Sequence, residues 1–283
     1  MGDCSANKEK TLFISDLDGT LLDPSACLSK YTVGALNTMI SGGLHFTIAT
    51  ARTIATCKKI LAPLALNLPV ILMNGVAICD MANGKCLQVN TMLPESIKAV
   101  VKILNDFNAT GFMYEQKDDV LSVYHEELSS AHLQKFVVER VARYNKSFTQ
   151  VKDFGLVPPD NIIYFTLLDS REVLQPIYEE MKRLADLNAS FYYDVYNPEL
   201  WYLEIASAKA SKKNAVNYMR DAYGYERIFC FGDNLNDLPM FEACDIKIAM
   251  ENARDEVKKA ADHICGPNTD DGVAKWLDEN AKS

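Results

Sequence analysis

The sequence predicts an α/β fold in which a parallel-sheet core domain is interrupted by a large inserted α+β cap domain. Apolar, strand-like runs alternate with helical segments near both ends of the chain. The middle of the chain instead holds strand pairs separated by turn residues. A length of 283 residues, with 48% hydrophobic and 24% charged residues, suits a globular protein of two ordinary domains.

The first segment predicts three strands with helices between them. The strands are KTLFIS, LHFTIAT (44–50) and PVILM (69–73). One helix is expected from Ser29 to about Ser41, ended by Gly42-Gly43, and a second from about Thr53 to Leu61. Because these strands are apolar throughout rather than alternating, they indicate a parallel sheet that is covered on both faces.

The middle segment predicts hairpins packed with helices. Hairpins are expected around Asn83-Gly84, within 110–125, and within 189–207 with a turn at Asn197-Pro198. Strand NIIYFTLL (161–168) and helices at about 94–107, 131–144 and 171–184 complete this part. Such a pattern is typical of an α+β domain with an antiparallel sheet.

After Ala208 the first pattern returns. A helix is expected near Ser211, then strand ERIFCFG, a helix over 238–243, strand DIKIAM and two closing helices. The core domain is therefore predicted to comprise 1–83 and 208–283, and the cap domain 84–207.

The composition argues against nucleic-acid binding and against a membrane-spanning protein. The net charge of −9 disfavours nucleic-acid binding, and no apolar run is long enough to span a membrane. The polar amino terminus lacks the apolar core of a signal peptide, so we expect a cytoplasmic protein. The eight cysteines form no C-x-x-C pair and are expected to be unpaired.

Asp16 and Asp18 follow the first strand in the stretch DLDGT. Side chains two residues apart on a strand share a face. At the carboxyl end of a parallel strand they would enter the crevice where such sheets bind ligands. Two carboxylates there favour a cation, and oxygen ligands favour Mg²⁺. The alternative is a solvated Asp-Gly turn.

Other strand ends and helix starts carry similar polar residues. GDNLND supplies Asp233 and Asp237, which are either one helical turn apart at a metal or part of a helix cap. The Thr50 hydroxyl group and the backbone amides at the start of the following helix are suited to bind a phosphate oxygen. Arg52 is either part of that site or a surface charge. Lys212, in the first turn of a helix, is either an anion ligand or a surface lysine.

In order, these motifs resemble the haloacid dehalogenase-like superfamily. The matching residues are DLDGT, Thr50 in IATAR, Lys212 in SKK, and GDNLND. The long insertion, MNG at 73–75, YLEI at 202–205 and the carboxyl-terminal tail resemble the Cof-type phosphatases. Ala51 and Lys213 stand where the family usually has glycine.

The resemblance implies a Rossmann-like core and a role for each motif residue. Asp16 would be the nucleophile that forms an aspartyl-phosphate, and Asp18 the general acid and base. Mg²⁺ would be held by Asp16, the Asp18 carbonyl group and Asp233, with Asp237 close by. The residues implied to bind the phosphoryl group, or to support its loop, are Thr50, Asn74, Gly75, Lys212 and Asn236.

The function implied is that of a Mg²⁺-dependent phosphatase acting on a small phosphorylated metabolite, such as a sugar phosphate. A phosphomutase of similar architecture and a non-catalytic binding or regulatory protein remain alternatives, although the presence of both Asp16 and Asp18 argues against the latter. The inserted domain would act as a lid, with candidate substrate contacts at 115–119 and 197–202. No nucleic-acid or membrane partner is expected, and the oligomeric state is left open.

Overall fold

The computed structural model describes residues 10–117, 120–128, 130–194 and 197–281. Its strands are β1 (Thr11–Ser15), β2 (Phe46–Ile48), β3 (Val70–Leu72), β4 (Ala77–Cys79), β5 (Cys86–Val89), β6 (Phe112–Lys117), β7 (Val120–His125), β8 (Thr149–Gln150), β9 (Ile162–Asp169), β10 (Leu187–Asp194), β11 (Asn197–Ser207), β12 (Arg227–Gly232), β13 (Ile246–Met250) and β14 (His263–Cys265). Its helices are α1 (Lys30–Ser41), α2 (Ile54–Leu61), α3 (Pro94–Asp106), α4 (Ala131–Tyr144), α5 (Arg171–Met181), α6 (Lys212–Tyr223), α7 (Leu238–Ala243), α8 (Asp255–Ala260) and α9 (Gly272–Asn280).

A five-stranded parallel sheet forms the core, in the order β14-β13-β12-β1-β2. Strand β1 buries its apolar residues between β12 and β2. Strands that lie inside such a sheet lose water on both faces, which explains their continuous apolar sequence. The predicted α/β core with an additional α+β part is confirmed.

Strand β3 joins this core less regularly than predicted. One isolated parallel bridge joins Ile71 to Ala49, the residue after β2. Strand β3 pairs antiparallel with β4, which in turn pairs with β5. The predicted hairpin around Gly84 is confirmed, and that glycine has a positive φ of 76°. The proposed domain boundary at 83/84 falls in the turn of this hairpin and stays a prediction.

The inserted segment contains a six-stranded sheet in the order β10-β11-β9-β6-β7-β8. Its pairs are antiparallel except that of β7 with β8. The predicted turn at Asn197-Pro198 is wrong, because β11 begins at Asn197, which pairs with Asp194. Pro198 precedes the part of β11 that pairs with β9, and a residue without an N–H group is tolerated there.

The expectation of unpaired cysteines is also wrong at four positions. Cys79 is disulfide-bonded to Cys86, and Cys230 to Cys244. Cys79 and Cys86 are cross-strand partners in the β4–β5 hairpin, so the turn brings them together without any motif in the sequence. Among the described residues, no helix has the length and apolarity needed to cross a membrane.

Candidate active site

The site lies at the carboxyl ends of the core strands. Asp16 directly follows β1, Asp233 directly follows β12, and Thr50 comes two residues after β2. A cavity of about 530 Å³ separates these strand ends from α4 and the six-stranded sheet. This volume lies in the range of ordinary small-molecule sites.

Three buried carboxylates converge beside this cavity. Asp16, Asp233 and Asp237 each offer an oxygen, and these atoms lie within 4.8 Å of one another. The ammonium of Lys212, only 1% exposed, donates to Asp16 Oδ1 at 2.6 Å and to Asp237 Oδ1 at 2.7 Å. If all four groups are ionised, the cluster keeps a net charge of −2, from three carboxylates and one ammonium.

The neighbouring backbone holds the carboxylates in place. The N–H groups of Asp233 and Asn234 donate to Asp237 Oδ2 at 2.9 and 3.0 Å, and the Thr20 hydroxyl donates to Asp233 Oδ1 at 2.7 Å. Gly19 has a φ of 80°, and a Cβ atom there would lie 2.4 Å from Asp233 Oδ2. The glycine of DLDGT therefore lets the loop after β1 approach Asp233.

Burial and mutual repulsion shift the ionisation of the cluster. Burial, followed by the charge of Asp237, raises the pKa of Asp16 to about 7 despite the nearby Lys212. The pKa of Asp233 is raised well above its usual range by burial and then by Asp237 and Asp16. Burial opposes the charge of Lys212, but Asp16 and Asp237 outweigh it and raise its pKa. An added cation would stabilise these carboxylates in their ionised form.

The donor set fits Mg²⁺. Its three side-chain donors are hard carboxylate oxygens, with no sulfur or imidazole ligand among them. With all four groups ionised, the cluster's charge of −2 equals the charge that a divalent cation would neutralise. Asp16, Asp233 and Asp237 are therefore the side chains that would hold the metal, and the part of the Asp18 carbonyl group in holding it stays a prediction.

Asp18 lies outside this cluster and is only partly buried. Arg52 Nε donates to its Oδ2 at 2.6 Å, and Arg52 Nη2 to its Oδ1 at 2.5 Å. Arg52 also donates to the Tyr144 hydroxyl at the end of α4, at 3.2 Å. The alternative that Arg52 is a surface charge is therefore wrong, since its side chain is 18% exposed. The arrangement stabilises the Asp18 carboxylate.

Of the residues predicted to bind phosphate, some line the cavity and the others lie behind its wall. Thr50 and Asn236 line the cavity. Asn74 lies behind it, accepting from Asn236 Nδ2 at 3.2 Å and donating to Glu204 Oε2 at 2.5 Å. Gly75 packs against the start of α6, where a Cβ atom would lie 2.2 Å from the backbone oxygen of Ser211. Lys212 follows Ser211, which caps α6, and its ammonium points to the carboxylates.

Of the suggested contacts in the cap, Asn197, Leu200 and Tyr202 line the cavity. Glu115 does not; it accepts a hydrogen bond from the Tyr124 hydroxyl at 2.7 Å. Asp118 and Asp119 lie outside the described residues.

Glu204, Tyr144 and Thr20 were not assigned a role from the sequence. Glu204 is buried among Tyr164, Tyr192 and Asn74, and burial raises its pKa to about 7. In the sequence, Glu204 stands out only as part of YLEI, a stretch that indicates the family but no chemical role for this residue. Tyr144 is an ordinary helix residue by sequence, and Thr20 is the last residue of DLDGT.

The model of the haloacid dehalogenase-like hydrolases matches residues 13–277. The chain belongs to this family. The family prediction made from the motifs is therefore confirmed, and so is the prediction that the chain is an enzyme of the haloacid dehalogenase-like type.

Relatives of this haloacid dehalogenase-like hydrolase include two named phosphatases. A 5-amino-6-(5-phospho-D-ribitylamino)uracil phosphatase of Bacillus subtilis is 30% identical over 93% of this chain and 96% of its own. A pyridoxal phosphate phosphatase of Escherichia coli is 28% identical over 93% and 95%.

Solved structures support the fold. A haloacid dehalogenase-like hydrolase from Bacteroides thetaiotaomicron has a TM-score of 0.77 at 20% identity, covering 96% of this chain and 99% of that one. A sugar phosphatase of subclass IIB has a TM-score of 0.76 at 19% identity, covering 96% and 99%.

Proposed function

We propose that this protein is a Mg²⁺-dependent phosphatase that hydrolyses a small phosphate monoester through an aspartyl-phosphate on Asp16. The observation that carries the proposal is the convergence of Asp16, Asp233, Asp237 and Lys212 on one buried point at the edge of a cavity. The named activities of the relatives support the same reaction class.

Asp16 is suited to attack phosphorus. It lines the cavity, while Lys212 holds its Oδ1 in a fixed orientation. The ester bond to phosphorus breaks as the bond from the Asp16 carboxylate forms, and water then cleaves the acyl phosphate to release phosphate. Bound Mg²⁺ would supply the positive charge that lets an anionic nucleophile meet an anionic phosphate.

Asp18 is placed to exchange protons with the leaving group and with water. It also lines the cavity, two residues from Asp16. Its pairing with Arg52 holds it as a carboxylate, the form required to take a proton from water. A phosphate dianion in the cavity competes for Arg52. When the guanidinium shifts towards phosphate, Asp18 takes up a proton from solvent and donates it to the leaving-group oxygen, and the carboxylate so formed then takes a proton from the attacking water.

Thr50 and Asn236 bind the phosphoryl oxygens from the cavity wall, and Lys212 adds its charge as the transition state forms. Asn74 and Gly75 position these groups through Asn236 and the start of α6.

The inserted segment acts as a lid that sets substrate size. Arg52 bonds to Tyr144, Asn74 to Glu204, and Asn234 Nδ2 to the Tyr193 oxygen at 3.2 Å, so hydrogen bonds join the two sides of the cavity. A monophosphate of sugar size fits about 530 Å³, whereas a polymer does not. The net charge of −9 further disfavours polyanions.

Turnover of a phosphate panel tests the proposal. The panel spans sugar phosphates, pyridoxal phosphate, nucleotides, phosphopeptides and 5′-phosphorylated oligonucleotides, each assayed with Mg²⁺ and with chelator. We expect phosphate release that requires Mg²⁺, is highest on a small monophosphate and is lost in Asp16→Asn. Faster turnover of a phosphopeptide or oligonucleotide than of every small molecule would contradict the lid argument.

A further inference from the structure

Lys146 is a buried cation in the wall of the cavity. It is only 7% exposed, and it lines the same cavity as Asp16 and Asp18. It lies just after α4, where Asn145 takes the left-handed conformation with a φ of 50° and turns the chain inward. Buried lysines are rare because removing an ammonium from water is costly unless a partner compensates it.

Within the described residues, Lys146 Nζ has no carboxylate at ion-pair distance and no hydrogen-bond partner. Its contacts are aromatic: the Nζ atom lies 4.8 Å from the ring centre of Tyr114 and 5.5 Å from that of Phe148. Burial, with the nearby charge of Arg140, lowers the pKa of Lys146 to about 7. The protein therefore makes the charged form of this lysine costly in the absence of a ligand.

Other charges around the cavity do not supply the missing counterion. Arg140 and Arg143 line the same wall from α4 and make it more positive. The acidic residues that line the cavity beyond the carboxylate cluster have other partners. Glu139 pairs with Lys135 at 3.7 Å, Glu204 accepts from Asn74, Asp18 accepts from Arg52, and Asp194 is hydrogen-bonded to Tyr202. This wall of the cavity thus carries a positive field that an anionic ligand group would complement.

We propose that Lys146 binds an acidic group on the leaving-group side of the substrate, either a carboxylate or a second phosphate. The inference rests on the proposed phosphatase function, because it places the ester phosphate at Asp16 and the second anion at the opposite wall. The ring of Tyr114 packs beside the ammonium of Lys146, and an anionic oxygen of the substrate would serve as the counterion that the protein does not supply. The preferred substrate is thus a small monoester with two acidic ends.

Matched substrate pairs test this assignment. Gluconate 6-phosphate and glucitol 6-phosphate differ by a carboxylate, and fructose 1,6-bisphosphate and fructose 6-phosphate differ by a second phosphate. The two pairs distinguish the two kinds of acidic group. For the wild-type enzyme we expect a kcat/KM about ten- to a hundredfold higher on the acidic member of at least one pair, as for a charge-assisted hydrogen bond.

The variant Lys146→Met should remove most of that preference through KM, while kcat and turnover of the neutral members change little. The variant Lys146→Gln, which keeps a polar stem, should do the same if Lys146→Met folds poorly. Lys102→Met is the matched control. That lysine lies on α3, is 74% exposed, pairs with Asp106 and does not line the cavity, yet its loss changes the net charge equally. Its kinetics should match the wild type.

Equal kcat/KM of the wild type on both members of both pairs would overturn the proposal, as would an unchanged preference in both Lys146 variants. Calorimetry measures the binding of gluconate 6-phosphate and glucitol 6-phosphate to Asp16→Asn, which does not turn them over. This measurement tests the role of Lys146 separately from the phosphatase assignment. Tighter binding of the gluconate supports the role of Lys146 even if no substrate is hydrolysed. Equal binding within this pair, together with equal binding of fructose 1,6-bisphosphate and fructose 6-phosphate, contradicts it even if 4-nitrophenyl phosphate is turned over.

Discussion

Replacing Lys212 by methionine removes one charge from the centre of the carboxylate cluster. Its ammonium makes contacts of 2.6 and 2.7 Å with Asp16 and Asp237. At an effective dielectric constant of 20, each contact amounts to about 6 kcal/mol before desolvation. Desolvation of the ions offsets much of this, and breaking a buried pair typically costs about 3–5 kcal/mol. We expect the free energy of unfolding in the absence of Mg²⁺ to fall by that amount.

Urea unfolding with and without Mg²⁺ measures this loss, and the phosphatase assay measures its effect on catalysis. We expect Mg²⁺ to restore part of the stability of Lys212→Met, because the metal replaces the missing positive charge. We expect kcat to fall about 10²–10³-fold, since the charge that meets the transferred phosphoryl group is lost.

The neighbouring lysine supplies the control. Lys213 is exposed and pairs with Glu242 at 2.9 Å on the surface, so Lys213→Met should cost less than about 1 kcal/mol and leave kcat unchanged. If the two variants unfold at the same urea concentration and turn over equally, the assignment of Lys212 to the centre of the site is refuted.

Three further results are expected. Asp18→Asn should lower kcat about 10²-fold or more through lost acid–base catalysis while Mg²⁺ still raises the melting temperature; wild-type turnover would exclude Asp18 from proton transfer. Burial raises the pKa of Glu204 from 4.5 to about 7, so the folded protein holds an extra proton between these values, and its stability should fall by up to ~3 kcal/mol as the pH rises from about 4.5 to 7. Glu204→Gln should remove this contribution and leave that of Asp16, so the pH dependence in urea titrations becomes shallower; an unaltered slope would contradict the role of burial. Activity should vanish with chelator and return with Mg²⁺ but poorly with Ca²⁺, which prefers longer and looser coordination; full activity after rigorous chelation would rule out a metal.

Much of the core was predictable because its signals are local. Each strand that positions the site is a short apolar run, and the residue at its end, such as Asp16 or Asp233, follows directly in the sequence. Parallel strands bring such ends to one edge, so convergence of these residues could be expected. The short strand β14 was missed because it has three residues and is mostly exposed.

The contacts between core and cap could not be predicted in this way. Arg52 meets Tyr144 across 92 residues, and Asn74 meets Glu204 across 130. These pairs depend on how the inserted segment packs over the core, and no periodicity or spacing encodes that placement. The same holds for Lys146, whose burial arises from the turn after α4 and the surrounding aromatic rings.

The most direct test of the account is to locate the phosphoryl group on the enzyme. An excess of a reactive aryl phosphate, chosen so that the aspartyl-phosphate forms faster than water cleaves it, is mixed with Mg²⁺ and enzyme. The reaction is quenched in acid, and tryptic peptide 11–30, which contains Asp16, Asp18 and Asp23, is fragmented by mass spectrometry. We predict a phosphoryl group on Asp16 that is absent from the Asp16→Asn variant. Steady phosphate release in the same samples, with peptide 11–30 unmodified or with the phosphoryl group on another residue, would contradict the mechanism.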